Sequence, residues 1–210
     1  MQQIKSLGIL GGTFNPIHYG HIVAAECARD ACHMDQVLFV PSARPPHKDL
    51  DEVLDSQHRY EMVQIAVQDN PDFAVSAIEL ERKGLSYTVE TIEAYLQKFP
   101  GVDIFFILGI DALLLMNTWK EVDRLVKLCN FIVVTRPGYQ LNRKEECFRE
   151  IPDSLWDKTI IIPIPGLFIS SSDIRKRVAE GKTIKYLLPP AVEKYIMENN
   201  LYKYEEPSHA

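Results

Sequence analysis

Six short apolar runs divide the 210-residue chain, and segments with helical spacing lie between most of them. Most of the runs are almost continuous in Ile, Val, Leu and Phe instead of alternating with polar residues. That pattern is typical of strands buried on both faces of a parallel sheet. We therefore predict β-strands at residues 6–10, 36–40, 73–78, 103–108, 130–134 and 159–164.

Helices are predicted between these strands, at residues 18–32, 56–69, 87–99 and 121–128. In the third of them, Val89, Ile92, Leu96 and Phe99 recur at steps of three and four residues, which gives one apolar stripe. The alternation of strand and helix predicts an α/β fold. We expect a doubly wound, mainly parallel Rossmann-like sheet with helices on both faces.

The C-terminal part has a different character, because residues 170–202 hold helical segments interrupted by the sequence LLPP. Its prolines, Pro189 and Pro190, end one helix and can begin the next. No internal repeat, low-complexity segment or linker interrupts the chain. We expect a single domain over residues 1–210, with a small helical C-terminal part at about residues 170–204.

Composition and charge narrow the class of protein. Hydrophobic residues make up 46% and charged residues 25%, which fits a globular protein with a sizeable core. The net charge of −6 argues against a general nucleic-acid-binding protein. The chain shows no signal-peptide pattern and no run long enough to cross a bilayer. The four cysteines form no CxxC pair, so we expect reduced, mostly buried thiols in a cytoplasmic protein without membrane contact.

The sequence GILGGTFNPIHYGH, residues 8–21, joins the first predicted strand to the first helix. Ligands of open α/β sheets bind beyond the carboxyl ends of the strands, and Gly11 and Gly12 allow a close backbone approach there. His18 and His21 are three residues apart and so lie on one face of the helix, with Gly20 leaving space between them. These residues alone leave a phosphate site, which we favour, a structural turn and a metal site open.

Eight short motifs follow one another along almost the whole chain: GGTFNPIHYGH, PPHK, HR, SYTVET, LGIDAL, TW, RPG and ISSSDIR. Each motif alone is weak, but together and in this order they are specific. The first resembles the HxGH signature of the nucleotidylyltransferase superfamily. The set as a whole resembles the bacterial nicotinate mononucleotide adenylyltransferase family within it.

The resemblance implies a reaction. Members of that family join ATP to nicotinate mononucleotide and form nicotinate adenine dinucleotide and pyrophosphate, a step of NAD biosynthesis. The mononucleotide phosphate attacks the α-phosphorus of ATP in line, without a covalent enzyme intermediate. Such chemistry needs alignment and charge stabilisation more than a general base. Mg²⁺ is expected to arrive with the ATP phosphates, since no residue cluster predicts a dedicated metal cage.

By the same resemblance, four residues would contact the reacting phosphates: His18, His21, Lys48 and Arg175. ISSSDIR would bind the β- and γ-phosphates at a helix start, where Ser171 or Ser172 is predicted to be the N-cap and Asp173 suits the first turn. Asp111 would bind the ribose or, in the alternative, cap a helix that begins near Ala112. The full set expected to bind ATP is Gly11, Gly12, Thr13, Phe14, His18, His21, Gly109, Asp111, Ile169, Ser170, Ser171, Ser172 and Arg175.

On the acceptor side, the resemblance implies that Trp119 stacks on the pyridine ring. Thr88 and the backbone of Lys120 would donate N–H groups to the nicotinate carboxylate, which gains more from such donors than a neutral amide does. Arg136 is a candidate for binding the acceptor phosphate, and Arg44 is a weaker one. A buried core tryptophan is the alternative for Trp119, although its polar sequence neighbours favour a loop.

Two positions depart from the family pattern, because Asn15 and Glu90 each stand where many members have Asp. The SYT and TW motifs argue against the related pantetheine-phosphate and nicotinamide mononucleotide adenylyltransferases. The joint presence of His18, His21, Lys48 and Arg175 argues against a nucleotide-binding module without catalysis. The choice between monomer and homo-oligomer stays open.

Overall fold

The computed structural model describes residues 4–44, 53–82, 84–135, 141–143 and 145–203. Within them the strands form one six-stranded sheet in the order β3-β2-β1-β4-β5-β6, in which all neighbours are parallel. The sheet consists of β1 (Ser6–Gly12), β2 (Gln36–Pro41), β3 (Phe73–Val75), β4 (Asp103–Gly109), β5 (Asn130–Thr135) and β6 (Thr159–Pro163). The strand order reverses between β1 and β4, which is where a doubly wound sheet opens a crevice for a ligand.

The helices cover both faces of this sheet. They are α1 (Tyr19–Ala31), α2 (Ser56–Val67), α3 (Thr88–Lys98), α4 (Ile110–Leu114), α5 (Val122–Leu128), α6 (Asp153–Trp156), α7 (Ser171–Ala179) and α8 (Pro190–Glu198). Short 3₁₀ turns occupy Met116–Thr118 and Glu146–Phe148. Because side chains alternate along each strand, Leu10 joins an apolar cluster with α1, α2, α7 and α8, while Ile9 joins a second with α3, α4 and α5. The predicted doubly wound architecture is confirmed.

Most predicted elements lie where the sequence placed them, with small differences at their ends. The strand predicted at residues 73–78 is shorter, because regular pairing stops at Val75, although the Ser76 N–H still bonds the Phe39 carbonyl at 2.9 Å. Helix α8 begins at Pro190 with Pro189 as its N-cap, as the LLPP sequence predicts. The prediction that the same prolines end the preceding helix is wrong, because α7 already ends at Ala179. The C-terminal helices pack on the same core as α1 and α2, since Ile174 and Ile196 belong to that apolar cluster.

Two other expectations concern membrane-spanning helices and the state of the cysteines. In the described ranges, none of the helices is both long and apolar enough to span a bilayer. The four cysteines are free thiols, of which Cys129 is buried, Cys27 and Cys32 are half-buried and Cys147 is exposed. The expectation of mostly buried thiols is therefore wrong, since Cys129 alone of the four is buried. Burial raises the pKa of Cys129 to about 12, so that its thiol is unreactive.

Candidate active site

The turn after β1 brings two histidines into ring contact. His18 is the N-cap residue of α1, and its backbone N–H donates to Nδ1 of His21 at 3.2 Å. The two ring centroids lie 3.8 Å apart with an interplanar angle of 30°. The prediction that both imidazoles share one face of α1 is confirmed. The helix start adds the positive end of the helix dipole at the same place, and the N–H of Tyr19 there bonds the carbonyl of Leu187 at 3.1 Å.

His18 is deeply buried, with only 6% of the residue exposed. Its Nδ1 atom has no hydrogen-bond partner among the described residues. Burial lowers the pKa of His18 to about 4, so the ring is neutral near pH 7. A Cβ added to Gly20 would lie 2.9 Å from His18 Nδ1 and Cε1. The glycine therefore accommodates the His18 ring, and the expectation that it leaves open space between the histidines is wrong.

Three main-chain carbonyls of this turn are each bound by a donor from elsewhere in the protein. Thr13 O accepts from Nη1 of Arg59 at 2.7 Å, and Asn15 O accepts from Nη1 of Arg175 at 2.9 Å. The carbonyl of Pro16 accepts from the hydroxyl of Ser171 at 2.8 Å. These three bonds connect the turn to α2 and to α7.

Arg59, of the HR motif, has a structural role that the motif did not indicate. It is 1% exposed and also donates to the carbonyls of Leu54 at 2.8 Å and Ala43 at 3.3 Å. Burial lowers its pKa from the usual value, while nearby Tyr202 and Asp55 oppose that shift. The sequence did hold a signal, since the charge occupies an apolar stripe: α2 buries Arg59, Met62, Val63, Ala66 and Val67.

The start of α7 lies against the same turn. Ser170 is its N-cap and accepts from the Asp173 N–H at 3.2 Å, so the prediction that Ser171 or Ser172 is the N-cap is wrong. Asp173 lies in the first turn, as predicted. The Ser172 hydroxyl lies 3.2 Å from that of Ser170, at the exposed side of the helix start. The carbonyl of Ile169 would be 3.8 Å from a Cβ at Gly20, which places this segment beside the start of α1.

Two side chains near the turn have positions that the sequence did not indicate. Phe14 has a left-handed φ of 47°, and its ring is 2% exposed. That ring packs on Phe39 and meets the edge of His21 with centroids 5.1 Å apart. Only the main chain of Phe14 is therefore placed to meet a nucleotide. Tyr202, near the C-terminus, donates to Oδ1 of Asn15 at 2.9 Å, and its pKa is raised by burial.

A cavity of about 640 Å³ opens beside the glycines of the turn. Gly11, Gly12 and Thr13 line it together with Thr88, Trp119 and Lys120, and also Ile9, Val40, Ser42, Glu79, Ser86, Tyr87, Thr91, Phe106 and Thr118. The structure thus brings residues expected on the ATP side and on the acceptor side into one cavity. Thr88 is the first residue of α3, where backbone N–H groups have no intrahelical carbonyl to bind.

Trp119 follows a 3₁₀ turn and has extended backbone angles, so it lies in a loop and is half-buried. Its ring meets Phe106 edge-to-face, with centroids 5.7 Å apart and an interplanar angle of 86°. Nζ of Lys120 lies 2.7 Å from Oε1 of Glu90 and 4.2 Å from the ring centroid of Tyr87. This ion pair raises the pKa of Lys120. A flat aromatic face and a fixed cation therefore border the cavity.

The remaining candidates lie apart from that cavity or outside the described residues. Gly109 ends β4 and is the N-cap of α4, so Asp111, exposed in the first turn, is not a cap residue. Arg44 is exposed, and its carbonyl accepts from the Ser86 N–H at 3.1 Å. Lys48 and Arg136 fall outside the described residues. No group of three or more His, Cys, Asp or Glu in the described part of the chain is arranged to hold a metal ion.

Comparison with known proteins places this arrangement in a family. The profile of the cytidylyltransferase-like family matches residues 9–177. The chain therefore belongs to the cytidylyltransferase-like family and, within it, to the nicotinate-nucleotide adenylyltransferases. The narrower group follows from relatives named "probable nicotinate-nucleotide adenylyltransferase". The relative from Moorella thermoacetica is 50% identical over 198 residues, which are 94% of this chain and 91% of that protein. The relative from Thermoanaerobacter sp. is 47% identical over 208 residues, 98% of each chain.

Solved structures agree on the fold. Nicotinic acid mononucleotide adenylyltransferase of Plasmodium falciparum, complexed with NaAD, superposes with a TM-score of 0.77 at 24% identity and covers 94% of this chain and 97% of its own. The same protein complexed with APC gives a TM-score of 0.75. This likeness confirms the fold class. It extends over the C-terminal helices as well as the sheet, because nearly the whole chain is covered.

Proposed function

We propose that the protein transfers the adenylyl group of ATP to nicotinate mononucleotide, forming nicotinate adenine dinucleotide and releasing pyrophosphate in NAD biosynthesis. One observation carries this proposal: the cavity that holds Thr88 and Trp119 opens directly at the glycine turn next to the paired histidines. An acceptor in the cavity would therefore have its phosphate beside a nucleotide held at the turn. The names of the relatives support the same reaction.

The reaction is a single in-line displacement. An oxygen of the acceptor phosphate attacks the α-phosphorus of ATP, and the bond from that phosphorus to the bridging oxygen of the β-phosphate breaks as pyrophosphate leaves. The nucleophile is already an oxyanion, so no side chain has to remove a proton. His21 contacts the α-phosphate, and His18 contributes a neutral hydrogen-bond donor because its ring is uncharged near pH 7.

The other ATP contacts come from the turn and from α7. The backbone of Gly11, Gly12, Thr13 and Phe14 lies along the phosphates. The start of α7, from Ile169 to Ser172, binds the β- and γ-phosphates with Arg175 and Lys48, and its N-terminal N–H groups suit such anions. Gly109 and Asp111 contact the adenosine ribose. Mg²⁺ carried with ATP would be held mainly by phosphate oxygens and water, and it would neutralise charge on the pyrophosphate.

The acceptor is recognised by stacking and by backbone donors. Trp119 stacks on the pyridine ring, since its ring is held edge-on by Phe106 and lines the cavity. The N–H groups of Thr88 and Lys120 bind the nicotinate carboxylate, and the positive end of α3 favours that charge. Arg136 binds the acceptor phosphate, with Arg44 as a weaker candidate. We further infer that the chain works as a single domain over residues 1–210 and in the cytoplasm.

Pyrophosphate release from Mg-ATP tests the proposal, with nicotinate mononucleotide and nicotinamide mononucleotide supplied as separate acceptors. Fast release with the acid form alone is the expected result. Equal release with both would contradict the carboxylate-binding role of Thr88 and Lys120 while leaving adenylyl transfer intact. No release with either acceptor, in the presence of tight ATP binding, would contradict the proposed function.

A further inference from the structure

Glu79 is a buried carboxyl to which the proposed reaction gives no role. It is 8% exposed and lines the same cavity as Thr88 and Trp119. A carboxyl in such a place is costly unless its oxygens accept hydrogen bonds. Burial raises the pKa of Glu79, whereas hydrogen bonds from Thr91 and Ser86 oppose this rise. The two hydroxyls therefore stabilise the ionised form of the Glu79 carboxyl.

The two hydroxyls that bind Glu79 lie on either side of one helix start. Oγ1 of Thr91 donates to Oε1 of Glu79 at 2.7 Å. Thr91 lies one turn into α3, while Ser86 immediately precedes Tyr87, the N-cap residue of that helix. Tyr87 itself makes no side-chain capping bond. Glu79 therefore contacts residues on both sides of the start of α3, at which the side chain of Tyr87 makes no capping bond.

Ser86 also connects this helix start to the backbone that follows β2. Its Oγ accepts from the N–H of Ala43 at 3.1 Å, and its own N–H donates to the carbonyl of Arg44 at 3.1 Å. Because Oγ of Ser86 only accepts in its bond with Ala43, the hydroxyl can still donate, and a hydrogen bond from Ser86 is among the causes that lower the pKa of Glu79. The segment after β2, the buried carboxyl and the start of α3 thus form one hydrogen-bonded unit at the cavity wall.

We propose that Glu79 is a positioning residue that fixes the start of α3, so that the Thr88 N–H faces the acceptor carboxylate. This inference rests on the proposed function and deepens it. A carboxylate suits the task because its two oxygens accept both hydroxyl hydrogens at once. An amide offers only one oxygen and would turn its NH₂ group toward one of the two hydroxyls. Without these hydrogen bonds to Glu79, the first turn of α3 moves. This movement weakens acceptor binding more than ATP binding.

The test compares Glu79→Gln with the matched control Glu81→Gln, a substitution at an exposed carboxyl two residues away. We would measure KM for nicotinate mononucleotide, KM for ATP, kcat and the thermal midpoint of each variant. In Glu79→Gln we expect KM for the acceptor to rise about tenfold, with KM for ATP within about twofold of the parent. Glu81→Gln should match the parent. A joint rise of both KM values, or no change in either, would overturn the inference.

A second readout does not depend on turnover. Quenching of tryptophan fluorescence by nicotinate mononucleotide without ATP reports acceptor binding at Trp119, and its Kd should rise about tenfold in Glu79→Gln. If that variant fails to fold, Ser86→Ala and Thr91→Val each remove one hydroxyl and should show the same selective effect. Unchanged acceptor affinity in both would overturn the inference. If the parent protein itself does not use the acceptor, the proposed function fails first and this inference with it.

Discussion

Arg175 donates a hydrogen bond of 2.9 Å to the main-chain carbonyl of Asn15, a residue 160 positions earlier in the chain. This bond joins the start of α7 to the turn after β1. Ser171 makes a parallel link from the same helix to Pro16 at 2.8 Å. The two parts of the proposed ATP site are therefore joined by two hydrogen bonds from side chains to the main chain. Asn15 accepts from Arg175 through its carbonyl and from Tyr202 through its side-chain oxygen.

His21→Ala tests the role of the turn in phosphate binding. We expect kcat to fall about 10²- to 10³-fold, because a donor placed at the reacting phosphate stabilises charge in the transition state. The thermal midpoint should stay close to that of the parent, since His21 is only half-buried. Steady-state pyrophosphate release and a melting curve measure both. Near-normal kcat would contradict the proposed phosphate contact.

Gly20→Ala should displace the His18 ring, because the added Cβ would lie 2.9 Å from two of its atoms. We expect kcat to fall at least about tenfold, as small misplacements of aligning groups are costly. The matched experiment repeats the substitution in a His18→Ala background, where the ring that collides is absent. There Gly20→Ala should have little further effect on kcat. Equal losses in both backgrounds would show that the glycine acts by another route.

Buried His18 also predicts how stability depends on pH. Its folded pKa of about 4 lies below the ordinary value of 6.5, so the unfolded chain binds more protons between these values. The contribution of neutral His18 to the free energy of unfolding is fully present above pH 6.5 and is lost as pH falls toward 4. The free energy of unfolding should drop by about 3 kcal/mol from this source. Urea unfolding across this range should show a shallower drop in His18→Gln, and an identical drop would refute the burial argument.

Arg59→Lys should destabilise the protein, although it preserves the charge. A lysine has one nitrogen and cannot replace a guanidinium that binds the carbonyls of Thr13, Ala43 and Leu54. We expect the free energy of unfolding to fall by about 2–4 kcal/mol, since buried carbonyls lose their partners. The surface change Arg177→Lys, at a residue paired with Asp173, is the control and should cost less than about 1 kcal/mol. Urea unfolding of both variants gives the comparison.

Trp119→Ala should weaken acceptor binding more than ATP binding. Removing the stacking face lowers affinity for a pyridine ring by about 1–2 kcal/mol, or roughly tenfold in KM for nicotinate mononucleotide. KM for ATP should change by less than about twofold, because Trp119 contacts the acceptor and not ATP in the proposed site. Trp119→Phe keeps an aromatic face against Phe106 and should recover much of the affinity. A larger rise in KM for ATP than in KM for nicotinate mononucleotide would contradict the proposed place of Trp119 in the acceptor site.

The sequence by itself determined the parts of this protein that depend on local pattern. The near-continuous apolar runs predicted the strands of a parallel sheet. The three-residue spacing of His18 and His21 predicted that both rings lie together at one helix start, and the rings are in contact there, although His18 has the extended backbone of an N-cap residue. The glycines at the end of the first strand predicted a ligand site at that edge of the sheet, where the structure has a cavity. Family motifs indicated Thr88 and Trp119 as candidates for acceptor binding, and the structure brings both into one cavity.

Only the tertiary structure decided burial and long-range pairing. The depth of His18, the contact of Arg59 with three carbonyls and the place of Phe14 in the core depend on how separate elements pack. The bonds of Arg175 and Tyr202 to Asn15 join chain ends whose sequence spacing carries no information on their distance. Local periodicity fixes which face a side chain occupies, but what covers that face is set by the packing of the whole chain.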